Sequence, residues 1–506
     1  MTIPRPAAVV VLAAGEGTRM RSAVPKVLHT LAGRSMLGHA VTTARALEPE
    51  RVVVVVRHGR EAVVEHLAQI DPEALVADQD EIPGTGRAVQ VALAALDAAR
   101  QVDGSIVVMA GDVPLLDTGT LQQLLLAHHE DADAVTVLTT EVADPTGYGR
   151  VLREPGTGDV AGVVEEKDAD DQQREIREIN TSTYVFDAAV LRSALTRLGR
   201  DNAAGEVYLT DVLAIARGDG GRVRALRTDD TLSVEGVNDR VQLAVLRAEL
   251  NRRILEDWMR SGVTVVDPAT TWVDVDVDLA QDVTLLPGTQ LFGATTVATG
   301  ATIGPDTTLT DVEVGPGASV VRSHGSLAVI AAGATVGPFS YLRPGTVLGE
   351  GGKIGAFVET KNAVIGTGSK VPHLSYIGDA QIGDHTNIGA ASVTANYDGT
   401  TKHRTTIGSH VRIGADTMLV APVTVGDGAF TGAGTVVRRD VPPGALAVNA
   451  TSQRTVENWV QRTRPDSAAA EAAARARGLR PPDDPVDPDA PAADPAAAPE
   501  DKDTAR

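Results

Sequence analysis

From Leu279 onward an aliphatic residue returns at every sixth position, and no other feature of the 506-residue chain limits its fold as tightly. Leu279, Leu285, Leu291, Val297, Ile303 and Leu309 keep strict phase. The phase restarts at Ile330, Val336, Leu342, Leu348 and Ile354, at Ile365, Val371 and Ile377, and at Ile407, Ile413, Leu419 and Val425. With Ile, Leu and Val at about a quarter of residues, six in phase by chance is on the order of one in several thousand per starting point. Glycine often follows the aliphatic, as in Ile303-Gly304, Ile354-Gly355, Ile388-Gly389 and Ile413-Gly414. This is the pattern of a hexapeptide-repeat parallel β-helix. Each aliphatic points into a narrow coil, the next position turns the backbone and favours a small residue, and stacked coils share a core that one turn cannot bury alone. Between Val393 and Ile407 the phase breaks over the polar stretch Thr394 to Thr406, which must leave the coil as a loop, and loops inserted into solenoids commonly serve binding.

The first half follows different rules. Residues 1–261 hold 21 of the 50 glycines, whereas the shorter stretch 279–444 holds 27. Apolar β-branched runs (Val9 to Leu12, Val52 to Val56, Ile106 to Met109) alternate with helical patterns such as Ala88 to Ala98, which predicts an α/β fold built on a βαβ sheet with helices on its faces. Val241, Leu243, Val245, Leu246, Leu250, Ile254, Leu255 and Trp258 recur at helical spacing and predict one long helix over 239–261 joining the halves. After Arg464 the chain turns to Ala, Pro and Asp. Residues 481–503 carry eight acidic side chains, one Lys and seven Pro, so a disordered tail is expected over 465–506, with a short helix within Ser467 to Gly478. The expected organisation is thus 1–238, a linker helix 239–261, a β-helix 262–464, and the tail.

Composition removes several chemistries. With no Cys there is no disulfide, thiolate metal site or cysteine nucleophile, which fits a reducing compartment. The net charge of −21 argues against broad nucleic-acid binding. No apolar run reaches 18 residues, and Ala7 to Ala14 runs directly into Gly15-Glu16-Gly17, so it reads as a buried strand and not as a secretory signal. The expected location is the cytoplasm.

Two stretches carry chemistry. Leu12-Ala13-Ala14-Gly15-Glu16-Gly17-Thr18-Arg19-Met20 follows a buried strand, and Pro25-Lys26 comes soon after. Gly15 and Gly17 let backbone N–H groups approach phosphate, while Arg19 and Lys26 supply charge for a triphosphate. The third glycine of a dinucleotide fingerprint is missing, the second strand ends in Arg57-His58 instead of an acid, and no P-loop Gly-Lys-Ser/Thr occurs; a sugar-nucleotidyltransferase loop remains. Asp112, just beyond the strand Ile106 to Ala110, suits a hard, oxygen-liganded Mg²⁺. In the coil region, Arg343 and Lys361 offer cations for a phosphate, and His373 is a candidate general base. Taken singly, Asp112 reads as a turn or cap residue and His373 as a surface residue of a repeat.

The Leu12–Met20 loop with Pro25-Lys26, Gly84-Thr85-Gly86, Gly111-Asp112-Val113-Pro114, Pro145-Thr146-Gly147-Tyr148-Gly149-Arg150, Glu165-Glu166-Lys167-Asp168, Ile179-Asn180-Thr181 and Glu235-Gly236-Val237-Asn238 occur in one order ahead of the hexapeptide half. Over about residues 7–462 the chain closely resembles the bacterial bifunctional N-acetylglucosamine-1-phosphate uridylyltransferase / glucosamine-1-phosphate acetyltransferases. The resemblance implies an α/β nucleotidyltransferase domain with a Rossmann-like mixed sheet followed by a left-handed β-helix, a homotrimer, and UTP and acetyl-CoA as co-substrates with Mg²⁺, serving peptidoglycan precursor synthesis. It implies that Asn238 joins Asp112 at the metal. Leu12, Ala13, Ala14, Gly15, Lys26, Gln79, Gly84 and Thr85 would surround uridine and phosphates, and Gly149, Glu165, Asn180 and Asn238 the N-acetylglucosamine. It implies that Tyr376 and Asn387 contact the amino sugar, that Ala390, Asn396, Tyr397, Ala415 and Ala433 lie along acetyl-CoA, and that His373 is the base. Relatives usually carry Ser at the place of Ala415, and some carry Arg at the place of Ala450, so two coenzyme contacts differ. Trp459 is placed either to cover the coenzyme or to pack its segment onto the coil. Two other readings compete: a monofunctional sugar-phosphate nucleotidyltransferase with a structural β-helix, and a non-catalytic scaffold. His373 and the Asn396-Tyr397 loop speak against the first, and the Arg19-Lys26 and Asp112-Asn238 sets against the second.

Overall fold

Nine strands build the main sheet of the first half, β1 (Ala8–Ala13), β2 (Arg51–Val56), β3 (Leu75–Asp78), β4 (Ser105–Ala110), β5 (Val135–Glu141), β6 (Arg150–Arg153), β7 (Val160–Val164), β8 (Glu178–Asp187) and β9 (Val223–Thr228), in a computed structural model that describes residues 3–98, 100–449 and 453–478. They form one sheet in the order β9-β5-β8-β4-β1-β2-β3, with β6 and β7 added as a hairpin beside β8. β1 pairs in parallel with β2 and β4, whereas β8 runs antiparallel between β4 and β5, so the sheet is mixed. Val9, Val10 and Val11 are all buried, because helices cover both faces and a parallel strand packed on two sides reads as an unbroken apolar run.

The linker helix spans Arg240–Arg260, begun by Asp239, whose side chain accepts from the N–H groups of Val241 and Gln242. Its apolar stripe is narrower than the spacing implies: Leu243, Leu246 and Leu255 are buried, whereas Val241 and Val245 are 73% and 50% exposed. A buried Asn251 fastens the helix to the first coil, its Nδ2 donating to Thr271 O (2.8 Å) and its Oδ1 accepting from Val273 N–H (3.1 Å). On the outer side Arg252 and then Arg253 hold the Glu249 carboxyl down at about 2. A carboxylate whose folded pKa is depressed adds stability above its unfolded pKa and loses it as pH falls through the folded one. Glu249→Gln is therefore expected to cost about 1 kcal/mol at neutral pH, a value discounted because Arg252 is largely in water. The cost should fade between pH 4.5 and about 2; thermal unfolding at pH 7 and pH 3 reads both parts.

From Thr264 the chain winds into short parallel strands stacked on three faces. One inward ladder runs Leu285, Ile303, Val320, Val336, Ile354 and Val371 in strict register, and all of these side chains are at most 2% exposed. The glycines after the aliphatics have two causes. Gly304 and Gly337, both at φ 103°, turn the backbone as expected. Gly389 and Gly414 are not at positive φ; a Cβ on either would lie 2.4 Å from Ala415 N or 2.6 Å from Thr431 O in the next coil. Close stacking excludes the side chain there, and the left-handed corners are shared between glycines such as Gly333 and Gly351 and non-glycine residues such as Phe357, Leu374, Ala391 and Asp416. Where the six-residue phase fails, Thr360 and Thr394 occupy buried positions, and their hydroxyls are satisfied by Thr346 Oγ1 (2.9 Å) and Gly378 O (2.9 Å). Ile388 pairs with Ile413, 25 positions on, where Val336 and Ile354 are 18 apart, and the excess leaves as the expected loop.

The chain divides after Val448. Beyond it Trp459–Thr463 and Ala468–Ala476 are helical, the latter capped by Ser467, and Arg464 lies over the Trp459 ring at 5.5 Å. Ala450 and the acidic stretch from 479 lie outside the described residues. Among the described residues no helix is long and apolar enough to cross a membrane.

Candidate active sites

The segments that follow β1, β3 and β4 meet at one end of the sheet, the place where open α/β sheets bind ligands. Gly111 N–H donates to Leu12 O (2.8 Å), bringing Asp112 beside the loop after β1. A Cβ on Gly15 would meet nothing within 4 Å, so this backbone faces open space. Gly17 has φ 67°, and a Cβ there would lie 2.6 Å from Lys26 Cβ; the glycine makes room for the lysine stem. Lys26 Nζ lies 2.5 Å from Asp112 Oδ2 and donates to Asn238 Oδ1 (3.4 Å), and Arg19 Nη2 donates to the same Asn238 oxygen (2.8 Å). Asn238 is held by Gln242 at the head of the linker helix, and Val237 N–H donates to Asp112 O. Four side chains far apart in sequence thus share one cluster.

Asp112 and Asn238 present oxygens to one point, where a cation already sits in the form of the Lys26 ammonium. That donor set fits Mg²⁺, which takes one or two such ligands and completes its shell with water and substrate phosphate. Among the described residues no group of three or more His, Cys, Asp or Glu could hold a metal.

Beside this cluster opens a cleft of about 190 Å³ that brings together Leu12, Thr85, Gly149, Glu165 and Asn180. Gln79, tied to the turn that precedes Thr85, has both amide hydrogens committed to Ile82 O (3.0 Å) and Gly84 O (3.1 Å), leaving its amide oxygen for a ligand. Gly84 and Thr85 are zipped to the segment Val207-Tyr208-Leu209 through Gly86 N–H to Val207 O and Leu209 N–H to Thr85 Oγ1. Asn180 N–H donates to Gly149 O (2.9 Å), and Thr210 donates to Glu165 (3.0 Å). Burial, aided by Asp211, Glu206 and Asp168, pushes the Glu165 carboxyl above its ordinary pKa despite the Thr210 bond. The buried Arg150 pairs with Glu166 (2.7 Å) and ties the Pro145–Arg150 turn to the Glu165-Glu166 strand end. Sequence reasoning passed over Tyr208 and Thr210 in the cleft wall; the signal was the polar-aromatic run Glu206 to Asp211, whose pairing with Gly84-Thr85 only the fold reveals.

On the coil, Arg343, Lys361 and Tyr376 gather on one face, Lys361 opposite Gly378 and Tyr376 opposite Glu359 in register. Arg343 pairs with Glu359 (2.8 Å). The inserted loop returns over this face: Asn396, 8% exposed, donates to Asp379 Oδ2 (2.5 Å) and to Tyr376 OH (3.4 Å). Lys402, which sequence reasoning also passed over, is brought beside Lys361, whose charge pulls the Lys402 amine below its ordinary pKa. Two neighbouring ammonium groups make a seat for an anion. Asp398 knots the loop by accepting from Thr400 N–H, Thr401 N–H and His403 Nε2, while Tyr397 stays 60% exposed.

His373 ends the strand Lys370–His373 on the neighbouring face, its ring exposed and its carbonyl accepting from Ser375 Oγ (2.7 Å). Asn387 lies on that same face, opposite Lys370 and Arg412. Ala390, Ala415 and Ala433 stack along the corner between the two faces, linked by Asp416 N–H to Ala390 O and Gly434 N–H to Ala415 O. One chain therefore collects the cations and Tyr376 on one face and keeps His373 and Asn387 one corner away. A Cβ on Gly378 would lie 2.3 Å from Tyr376 OH, the mobile end of a side chain, so Gly378→Ala is expected to displace the ring and leave the coil standing. With Tyr376 as the amino-sugar contact that the resemblance implies, the cost should be about tenfold in KM for that substrate, the value of one lost ligand hydrogen bond, with nucleotidyl transfer unchanged in steady-state assays.

Residues 9–182 match the MobA-like NTP transferase domain, and residues 404–439 the bacterial transferase hexapeptide of six repeats. The bifunctional protein GlmU of Kineococcus radiotolerans is 64% identical over 93% of this chain and 95% of its own length. Those of Pseudarthrobacter chlorophenolicus and Mycolicibacterium vanbaalenii are 62% and 63% identical, each over 92% of this chain and 95% of its own. A phosphate loop at the end of a mixed sheet, a hexapeptide coil behind it and near-full-length identity above 60% agree, and the chain belongs to the bifunctional GlmU family, transferases that join a nucleotidyltransferase half to a hexapeptide acyltransferase half.

Proposed function

We propose that the chain acetylates glucosamine 1-phosphate with acetyl-CoA and then transfers uridylyl from UTP to the N-acetylglucosamine 1-phosphate formed, giving UDP-N-acetylglucosamine and pyrophosphate in the cytoplasm. The observation that carries the reading is the convergence of Arg19, Lys26, Asp112 and Asn238 beside the Glu165–Asn180 cleft. The attacking sugar phosphate is already ionised, so uridylyl transfer needs alignment and charge neutralisation and no general base. Mg²⁺ held by Asp112 and Asn238 supplies neutralisation of the phosphate oxygens. Arg19 and Lys26 bind the triphosphate, the backbone of Leu12 to Gly15 with Gln79, Gly84 and Thr85 holds the uridine side, and Gly149, Glu165, Asn180 and Asn238 hold the sugar. The domain runs over 1–238.

In the 262–464 half, Arg343 and Lys361, joined by Lys402, seat the sugar phosphate, with Tyr376 and Asn387 on the sugar. His373 takes a proton from the ammonium, the freed amine attacks the thioester carbonyl, and as the C–S bond breaks the proton shed by the nitrogen passes to the departing sulfur, so CoA leaves as its thiol. With no Cys in the chain, the acetyl group passes directly from sulfur to nitrogen. Ala390, Asn396, Tyr397, Ala415 and Ala433 line the coenzyme. The split of these residues over two faces of one coil supports a site completed by a second subunit, and a homotrimer as the assembly. The test supplies glucosamine 1-phosphate with acetyl-CoA in one assay and N-acetylglucosamine 1-phosphate with UTP and Mg²⁺ in another. Thiol in the first and pyrophosphate in the second are expected; pyrophosphate without thiol would favour the monofunctional reading.

A further inference from the structure

The oxygens assigned to the metal already have a cation between them. Lys26 Nζ sits 2.5 Å from Asp112 Oδ2 and 3.4 Å from Asn238 Oδ1, and its side chain is only 10% exposed. We infer that Lys26 is a resident cation which fills the metal position in the ligand-free enzyme and swings onto the nucleotide phosphates when nucleotide and metal enter together. This rests on Asp112 and Asn238 being the metal donors. A divalent ion bound to the Asp112 carboxylate at about 2.0–2.1 Å cannot share that oxygen with an ammonium at ion-pair distance, because the two positive charges would nearly touch. Displaced without a new partner, the shielded ammonium would be left uncompensated, a costly arrangement. Phosphate oxygens at the open Gly15 backbone provide that partner.

The chain confines the movement to the end of the side chain. Lys26 opens the short turn Lys26–Leu28, closed by Leu28 N–H to Pro25 O (2.9 Å) and His29 N–H to Lys26 O (3.2 Å), and its stem runs through the space left by Gly17. Arg19, which donates to Asn238 Oδ1 and is itself assigned to the triphosphate, must release that oxygen in the same exchange. Metal and nucleotide then bind with positive coupling, and each raises the affinity of the other by the same factor.

Mn²⁺ binding to the full chain, followed by water-proton relaxation, tests this without turnover. The ligand-free wild type is expected to bind Mn²⁺ weakly, and UDP-N-acetylglucosamine should tighten it by about tenfold or more. Lys26→Met, which keeps the stem and removes the charge, should bind Mn²⁺ about tenfold more tightly than wild type without nucleotide and should gain little when the nucleotide is added. Lys26→Gln, run in parallel, must show the same gain. Ligand-free Mn²⁺ binding by both variants no tighter than wild type overturns the inference. Asp112→Asn separates the two levels. If it removes the nucleotide-dependent Mn²⁺ site while the Lys26 variants change nothing, the metal assignment stands and the resident cation falls; if it leaves that site intact, the metal assignment itself is wrong.

Discussion

Replacing His373 with alanine is expected to cut thiol release from acetyl-CoA by about 100- to 10,000-fold, the usual consequence of removing a general base, and to leave pyrophosphate release unchanged. The ring is exposed at the end of its strand and supports no part of the coil core, so the loss should be one of chemistry and not of folding. The substrate ammonium must lose a proton before its nitrogen can attack, and imidazole is the side chain suited to take it near neutral pH. Parallel assays of the two half-reactions on one preparation decide the matter. Loss of both activities would show that the halves depend on each other, and full retention of thiol release would remove His373 from the mechanism.

Asp112→Ala should have the mirror-image effect. It removes one of the two proposed metal donors and the ion-pair partner of a shielded lysine, so Mg²⁺-dependent pyrophosphate release should fall by about 100-fold or more, as expected for losing several kcal/mol of charge stabilisation. Acetyl transfer should continue at the wild-type rate, because no residue assigned to it lies near the sheet end. Pyrophosphate release at an unchanged rate would reject Asp112 as a metal donor.

The parts of the molecule that could be read in advance are those where a repeated local rule is visible. Six-residue runs such as Leu279 to Leu309 mark the coil, whose ladder from Leu285 to Val371 recurs at 16 to 18 residues, and the polar stretch Thr394 to Thr406 interrupts the pattern, so coil and loop were both legible. The reasons behind the pattern were less so. Gly389 and Gly414 read as turn-makers, yet the constraint on them is the backbone of the next coil, a distance between residues far apart along the chain. Thr360 and Thr394 break the phase because a buried hydroxyl with a partner replaces an aliphatic, and a hydropathy count cannot see the partner. Val241 and Val245 keep helical spacing but face outward, since the stripe width depends on what the helix packs against.

The first site was legible as a set of motifs, whereas its electrostatics were not. Arg19 and Lys26 read as phosphate ligands; that Lys26 is paired with Asp112 follows only from β1 and β4 lying side by side. Lys402 and Thr210 escaped notice for the same reason, because each acquires meaning from a neighbour, Lys361 or Glu165, that the chain meets after a long excursion.

The central claim is that one chain performs two successive reactions. It is tested most directly by giving the wild-type protein glucosamine 1-phosphate, acetyl-CoA, UTP and Mg²⁺ together and recording thiol and pyrophosphate in one time course. Thiol should appear at once and pyrophosphate after a lag, with neither formed when acetyl-CoA is withheld. Pyrophosphate released from glucosamine 1-phosphate at full rate without acetyl-CoA, or thiol never released at all, would contradict the account.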